Sequence, residues 1–587
     1  MKGGRQAMNR SKSWGWRSMR FGLAIALLAG TGLPSWAFTA DEKVAVAFST
    51  NWDVGIGREV FVVGNHTDLG DWNPLRARKL RWTSGNVWTG AVAVTAGSHL
   101  EYKYIVRTNA GAAYCAAENV VWMPDPNLAA NLPARDDPPY SGKTIYYYSA
   151  WTNAFLLHRT GGSETWTDTP MLRVGPGRHA GEYLYRVDGI GTSGDLLTFV
   201  PHGFFNGEEA WDNTPVPGVL DYYTRLDAFL LQDGHVYGYW PPANRTDSSI
   251  NSHFIVSSYT PQIPSRNIRV YTPRNYTLNT NKHYPVLYLH DGQNTFRPGG
   301  IYGCWYAEDA ADHMISFGMM RESILVAIDN TDERLREYLA PTDSYQSNSG
   351  TADRYLAFVV HDVMPFVNAS YRTLTGPENT GVLGSSFGGV ASLYFGMASN
   401  VFGRIGPMST SFWAIPNYLA QRIDGQDTSG LRIYTDYGTM ESEPNYQAMW
   451  SVYDKFMADG YVPNDSLRIE VGCGHEHSEW AWALRVPDAM AFLFNAREEP
   501  NEILLRELPL RLEAAGDGDP AAMSYLALKG WNYVLQRAGM IRDPTDWAPV
   551  ATGRLDALMW SVQDLSIPLS SSGGHGYFRI QAQFPGP

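Results

Sequence analysis

The hydrophobic pattern changes character along the chain. From residue 41 to 147, apolar positions alternate or run in short stretches at 44–48, 59–63, 88–94 and 100–105, between turns rich in Gly, Asn and Asp. Successive side chains of a strand point to opposite faces, so this pattern predicts a small β-sandwich. A second β unit over 148–240 has a short strand at 155–158, a turn at 161–166 and a hairpin-like loop at 204–213. Residues 241–249 open on Pro241 and Pro242, lack an apolar period and read as a linker. Over 250–498 short apolar runs alternate with longer helical stretches, with strands expected at 253–258, 267–271, 285–289, 323–328, 381–383, 431–434 and 467–471. That alternation predicts a mostly parallel sheet covered by helices. A helix is expected over 502–514 and a small β appendage over 515–587. The predicted architecture is multidomain: two β-sandwich modules, an α/β domain and a C-terminal β appendage.

Within the α/β unit, Gly384-Ser385-Ser386-Phe387-Gly388 follows the apolar run 381–383 and precedes a helical stretch. This is the strand, sharp turn and helix of a nucleophile elbow, the signature of an α/β-hydrolase. Small residues around Ser386 let the chain turn tightly enough to lift the hydroxyl above the sheet. There the helix N-terminus and the Phe387 amide can stabilise an oxyanion, which points to acyl transfer from an ester.

Composition narrows the partners. The net charge is −13, and no basic stripe occurs beyond the extreme N-terminus, which excludes a nucleic-acid partner. Aromatic residues make up 13% of the 587 positions, with 20 Trp and 34 Tyr, a surplus suited to stacking on sugar faces. Lys2, Arg5, Arg10, Lys12, Arg17 and Arg20 precede an apolar stretch over 21–33 and then Pro34-Ser35-Trp36-Ala37. This predicts a signal peptide over 1–37, cleaved after Ala37, and an extracellular or periplasmic protein. No other stretch is long and apolar enough to span a bilayer, so no membrane partner is expected. Cys115, Cys304 and Cys473 allow at most one intramolecular disulfide.

Several segments resemble known families. Val63-Gly64-Asn65, Leu69-Gly70-Asp71-Trp72-Asn73, Glu101-Tyr102-Lys103-Tyr104 and Val121-Trp122-Met123-Pro124-Asp125-Pro126-Asn127 resemble the family 20 starch-binding module over 41–147. The resemblance implies one sugar site from Trp72, Lys103 and Trp122, with Ile56 standing where a second site would need a tyrosine. The second unit resembles the family 25 and 26 starch-binding modules, which implies His158, Trp166 and Trp211 as a platform, with Asn206 and Asp212 shaping its loop. Two weak modules on one chain would gain avidity on an insoluble polymer.

Residues 286–294, Ile328-Asp329-Asn330 with Arg334, Glu337 and Tyr338, Met364-Pro365-Phe366 with Tyr371-Arg372, and the elbow resemble the esterase family that includes esterase D and enterochelin esterases. This implies an α/β-hydrolase whose triad runs serine, acid, histidine. His477-Ser478-Glu479-Trp480-Ala481-Trp482 is similar to the family's histidine segment, making His477 the base and His475 its rival. Gly438-Thr439-Met440-Glu441 is similar to its acid turn, making Glu441 the acid and Asp436 the runner-up. The oxyanion donors implied are the amides of Phe387 and Asp291. The expected activity is a secreted serine carboxylesterase acting through an acyl-enzyme, held on starch or a related α-glucan, without metal or organic cofactor. Alternatives are an acyltransferase using the same triad and an inactive starch-binding protein on a hydrolase scaffold. A glycoside hydrolase would need two carboxylates flanking a sugar cleft, and no such pair stands out.

Overall fold

A computed structural model describes residues 43–498, apart from 96–98, 109–111, 117–118, 125, 133–141, 162, 193, 217–218, 240, 242–245 and 423–429, together with backbone strands at Phe21–Ala24 and between Arg511–Glu513 and Tyr577–Gln583. The expected signal segment lies outside the described residues except for Phe21–Ala24. The same holds for most of the helix expected over 502–514, of which Arg511–Glu513 is instead a strand.

The N-terminal module is a two-sheet sandwich. Lys43–Asn51, Val87–Thr95 and Arg81–Thr83 pair in one sheet. Arg58–Gly64 and His99–Thr108 form the centre of the other, flanked by Arg78–Lys79, Val121–Trp122 and Leu128–Asn131. Val46, Phe48, Val60, Val62, Tyr102 and Tyr104 fill the space between them. The alternate residues Phe61, Val63 and Ile105 are also fully buried, because this sheet's outer face joins the core of the α/β domain. Burial on both faces is why 60–63 reads as an unbroken apolar run. Tyr114 carries the contact across, its ring 6.0 Å from Tyr446 and 6.2 Å from Trp450 of the helix Glu443–Ala458. Beside it a disulfide joins Cys115 to Cys473.

The second module differs from two separate layers: of its nine strands, from Lys143–Ser149 to His235–Tyr237, eight form one continuous sheet path and the ninth, Tyr222–Thr224, pairs beside it with Leu197–Phe205. Its core includes Leu156, Tyr185, Phe199 and Phe229, together with Phe317 and Ala496 of the α/β domain. Tyr223 stacks on Phe317 at 4.2 Å.

The α/β domain is built on β1 (Ser249–Ile255), β2 (Arg266–Thr272), β3 (Val286–Leu289), β4 (Ile324–Ile328), β5 (Thr380–Ser385), β6 (Arg404–Met408), β7 (Arg432–Gly438) and β8 (Leu467–Gly472). Their order is β1-β2-β4-β3-β5-β6-β7-β8, parallel from β4 onward and antiparallel at β1/β2 and β2/β4. This is the α/β-hydrolase arrangement. Side chains alternate between two cores: Val286, Tyr288 and Val326 face one layer with Val390 and Leu393, while Leu287, Leu289 and Leu325 face another with Trp482 and Val486. β6 is not apparent in the sequence because Gly406 and Pro407 interrupt it, and proline cannot donate to a ladder. Among the described residues no helix is long and apolar enough to cross a membrane.

Candidate functional site

Ser386 stands between β5 and the helix Phe387–Ala398 with φ 58° and ψ −120°, a conformation that costs a non-glycine residue on the order of 1–3 kcal/mol. The turn closes because its neighbours are small. A Cβ on Gly384 would lie 2.6 Å from the Gly388 carbonyl oxygen, and one on Gly389 would lie 2.3 Å from Thr410 Oγ1. The turn is pinned to the end of β6, where Ser386 N donates to Met408 O at 3.0 Å and Ser411 N donates to Ser386 O at 3.2 Å. The Ser386 hydroxyl pairs with Ser411 Oγ at 3.4 Å.

At the carboxyl ends of β7 and β8 the acid turn and the histidine loop meet. His477 Nδ1 lies 2.8 Å from Glu441 Oε2, and its ring is edge-on to Trp482 at 5.0 Å. The other carboxylate oxygen of Glu441 accepts from Ser409 Oγ at 2.6 Å and from the Gly438 amide at 2.9 Å. Burial pushes the Glu441 carboxyl up, but the bonds from His477, Ser409 and Gly438 outweigh it and hold it below the ordinary value of 4.5. A depressed carboxyl stabilises the fold above its unfolded pKa, and that contribution is lost as pH falls through the folded value. The melting-temperature gap between wild type and Glu441→Gln is therefore expected to be fully open above the unfolded value and to narrow as pH falls below it in calorimetry; a constant gap would contradict this.

The rivals are otherwise engaged. Asp436 is fully buried and accepts from Arg485 Nε at 2.9 Å and the Ser409 amide at 2.9 Å. Burial raises its carboxyl despite the Arg485 charge. His475 Nδ1 accepts from Arg485 Nη1 at 3.0 Å, and both burial and that cation depress its pKa. His475 is thus held neutral beside a cation, whereas His477 faces a carboxylate. Arg485 also donates to Ser409 Oγ at 2.7 Å, so one guanidinium braces Asp436, Ser409 and, through Ser409, Glu441.

The Phe387 amide opens its helix and has no intrahelical acceptor. The Asp291 amide, expected beside it, instead donates to the Tyr338 hydroxyl at 3.1 Å, which corrects that assignment. The Asp291 carboxylate is held by Arg334 at 2.6 and 2.8 Å. Burial alone would raise it, but Arg334 and Asn330 bring it below the usual carboxylate range. Asp291 therefore braces the loop after β3 and leaves the amides of Gly292 and Gln293, at the start of the turn Gly292–Asn294, without intrahelical acceptors. Sequence reasoning also missed a wall of rings next to the serine: Phe387, Tyr345 and Trp413 lie 5.2–6.0 Å apart. Trp413 and Ser409 to Ser411 follow β6, so recognising that strand would have put them at the sheet rim where α/β folds bind ligands.

Of the proposed sugar contacts, Lys103 and Trp122 share one sheet face, since Ile105 pairs with Trp122 and lies two residues from Lys103. Trp122 is 40% exposed, while Trp72 is half-buried against the cluster containing Phe61, Val63 and Ile105. Trp82, 53% exposed on Arg81–Thr83, was not singled out by the sequence. In the second module Phe155, His202 and Trp211 are in register across three strands. Their rings stack, with Trp211 4.4 Å from His202 and 46% exposed. Trp166 lies on Arg159, whose guanidinium carbon is 5.0 Å from the indole centroid. His158 does not join this face. It alternates with Leu157 and Arg159, points to the core side with Leu156, is buried, and bonds Thr169 Oγ1 at 2.9 Å; its assignment to a platform is corrected accordingly.

Residues 264–513 match the model of the Esterase family and residues 43–139 that of the starch-binding domain. The starch-binding match stops short of the second module, and the likeness of that module to families 25 and 26 is not supported. An α-amylase of Streptomyces violaceus is 35% identical over 88 residues, 15% of this chain and only 14% of that protein. An uncharacterized protein of Bacillus subtilis (strain 168), YjcH, is 25% identical over 175 residues, 30% of this chain and 67% of that protein. Among solved structures, a ferulic acid esterase aligns with TM-score 0.35 and 18% identity over 42% of this chain and 98% of its own. The enterobactin esterase of Shigella flexneri aligns with TM-score 0.32 and 14% identity over 77% of this chain and 93% of its own. The chain thus combines an esterase domain with a starch-binding module.

Proposed function

We propose that this chain hydrolyses carboxylic esters through an acyl-enzyme on Ser386 and is held on starch or a related α-glucan by its N-terminal module. The observation that carries the reading is the 2.8 Å bond between His477 Nδ1 and Glu441, which orients the ring and leaves Nε2 to handle protons. In the proposed cycle Ser386 Oγ attacks the ester carbonyl as His477 Nε2 takes its proton and passes it to the leaving alcohol. Water then cleaves the acyl-enzyme by the same route. Before substrate arrives, the serine hydroxyl rests on Ser411, and it has to rotate from that 3.4 Å contact to His477. The Phe387 amide supplies one oxyanion donor, and the Gly292–Gln293 amides replace Asp291 as the source of the second. The wall of Phe387, Tyr345 and Trp413 takes the apolar part of the ester. Segment 1–37 serves as the export signal, cleaved after Ala37.

The direct test is turnover of p-nitrophenyl acetate and butyrate by the purified chain, with Ser386→Ala as control. Equal rates for the two proteins would sink the esterase reading and favour a binding protein. On granular starch, Trp122→Ala is expected to weaken retention on the order of tenfold, because an exposed indole dominates such a contact. Trp211→Ala tests the second module separately, its stacked ring offering one open face to a sugar. Sedimentation of the variants with starch measures both effects, and wild-type retention of both would displace these platforms.

A further inference from the structure

We infer that the Cys115–Cys473 disulfide is a positioning element of the catalytic site, so that the starch-binding module is part of the structure that holds His477 in place; this rests on the esterase reading above. Cys473 directly follows β8 and stands four positions before His477. The loop it opens is exposed at Cys473, Gly474, Glu476 and His477, and Gly474 has φ 77°. Such a loop is mobile unless tied down.

Its backbone ties run to the acid turn. Gly474 N donates to Thr439 Oγ1 at 2.9 Å, and Met440 N donates to His475 O at 3.0 Å. These bonds hold histidine loop and acid turn to each other, and the side chains of Glu441 on Ser409 and His475 on Arg485 tie them to the domain, but Cys473, Gly474, Glu476 and His477 stay exposed. The disulfide adds a covalent tie at the start of that exposed stretch. Cys115 follows Tyr114, which is buried between the modules against Tyr446 and Trp450. The Tyr114 ring lies under the Arg107 guanidinium at 3.8 Å, and Arg107 is itself buried and bonded to Pro74 O at 2.9 Å. A covalent link from that point limits where the histidine loop can move. A misplacement of about 1 Å in a reacting group costs on the order of a hundredfold in rate.

The modules have other contacts to keep them docked without the bond. Asn464 Nδ2 donates to Asp68 O at 3.0 Å, and Lys79 lies 4.1 Å from the Trp450 ring centroid. Removing the disulfide should therefore loosen the loop rather than separate the modules.

The test uses the full chain and three variants, Cys115→Ser, Cys473→Ser and the double substitution. Each is expected to lower kcat on p-nitrophenyl butyrate about tenfold or more, with KM within about twofold and retention on granular starch kept. The three losses should be equal and non-additive, since any one substitution removes the same bond. Amide hydrogen exchange over 473–478 should quicken in all three, a readout independent of turnover. If the variants fold poorly, reduction of the folded wild type with dithiothreitol should lower kcat in step with the appearance of two thiols, and reoxidation should restore it. Wild-type kcat in all three variants would overturn the proposal alone. So would a loss in Cys473→Ser that Cys115→Ser does not share, because the effect would then be local to the loop. A wild type without turnover would remove the esterase reading, and the proposal with it.

Discussion

Replacing Ser386 with alanine is expected to lower kcat/KM for p-nitrophenyl butyrate by about 10⁴-fold or more, because no neighbouring group can take over the acyl transfer. Ser411, the hydroxyl nearest in hydrogen-bonding terms, lies 3.4 Å away, with φ −75° instead of the elbow's positive φ and only the single 3₁₀ turn Phe412–Ala414 behind it. A companion variant separates chemistry from folding. Ser386→Gly should be equally inactive yet more stable than Ser386→Ala by about 1 kcal/mol, since glycine adopts φ 58° without a Cβ penalty. Turnover measured beside thermal melts checks both parts. Residual activity within about tenfold of wild type would remove Ser386 from the mechanism.

The second large effect divides the two carboxylates. Glu441→Gln preserves shape but removes the charge facing His477, and kcat is expected to fall about 10³–10⁴-fold with the fold intact. Asp436→Asn should act on stability instead. Arg485 is buried against Asp436 and would lose the nearer of its two carboxylates, keeping Glu441 at 3.7 Å; breaking a buried pair from one side costs about 3–5 kcal/mol. The folded fraction of Asp436→Asn should keep kcat within about tenfold of wild type. Steady-state kinetics and chemical denaturation on both proteins give the comparison. The reverse ordering would make Asp436 the acid and assign Glu441 to structure.

Much of the architecture is legible in local sequence because it depends on local rules. The small residues around Ser386 permit the tight strand-to-helix turn that larger ones would block, and the apolar runs at 285–289 and 323–328 are short because both faces of those strands are buried. β6 escapes the same reading since Gly406 and Pro407 look like a turn. They are accommodated because the ladder to β7 skips 406–407 while the ladder to β5 runs through them, and Thr435 Oγ1 bonds the Pro407 carbonyl at 2.9 Å.

Local sequence limits which residue types are available: an elbow serine, two histidines, two carboxylates, three cysteines and a set of indoles in turn-rich segments. How they are used follows from packing. Arg485, reaching in from the helix Glu479–Leu493, occupies Asp436 and His475, while His477 faces Glu441. Strand register turned His158 inward and left Trp211 outward, and the docking of one module on another chose Cys473 for Cys115 over Cys304. Composition and short-range pattern set what a stretch of chain can form. Which charges, faces and thiols meet depends on contacts between residues tens to hundreds of positions apart, and those arise only when the sheets and helices pack.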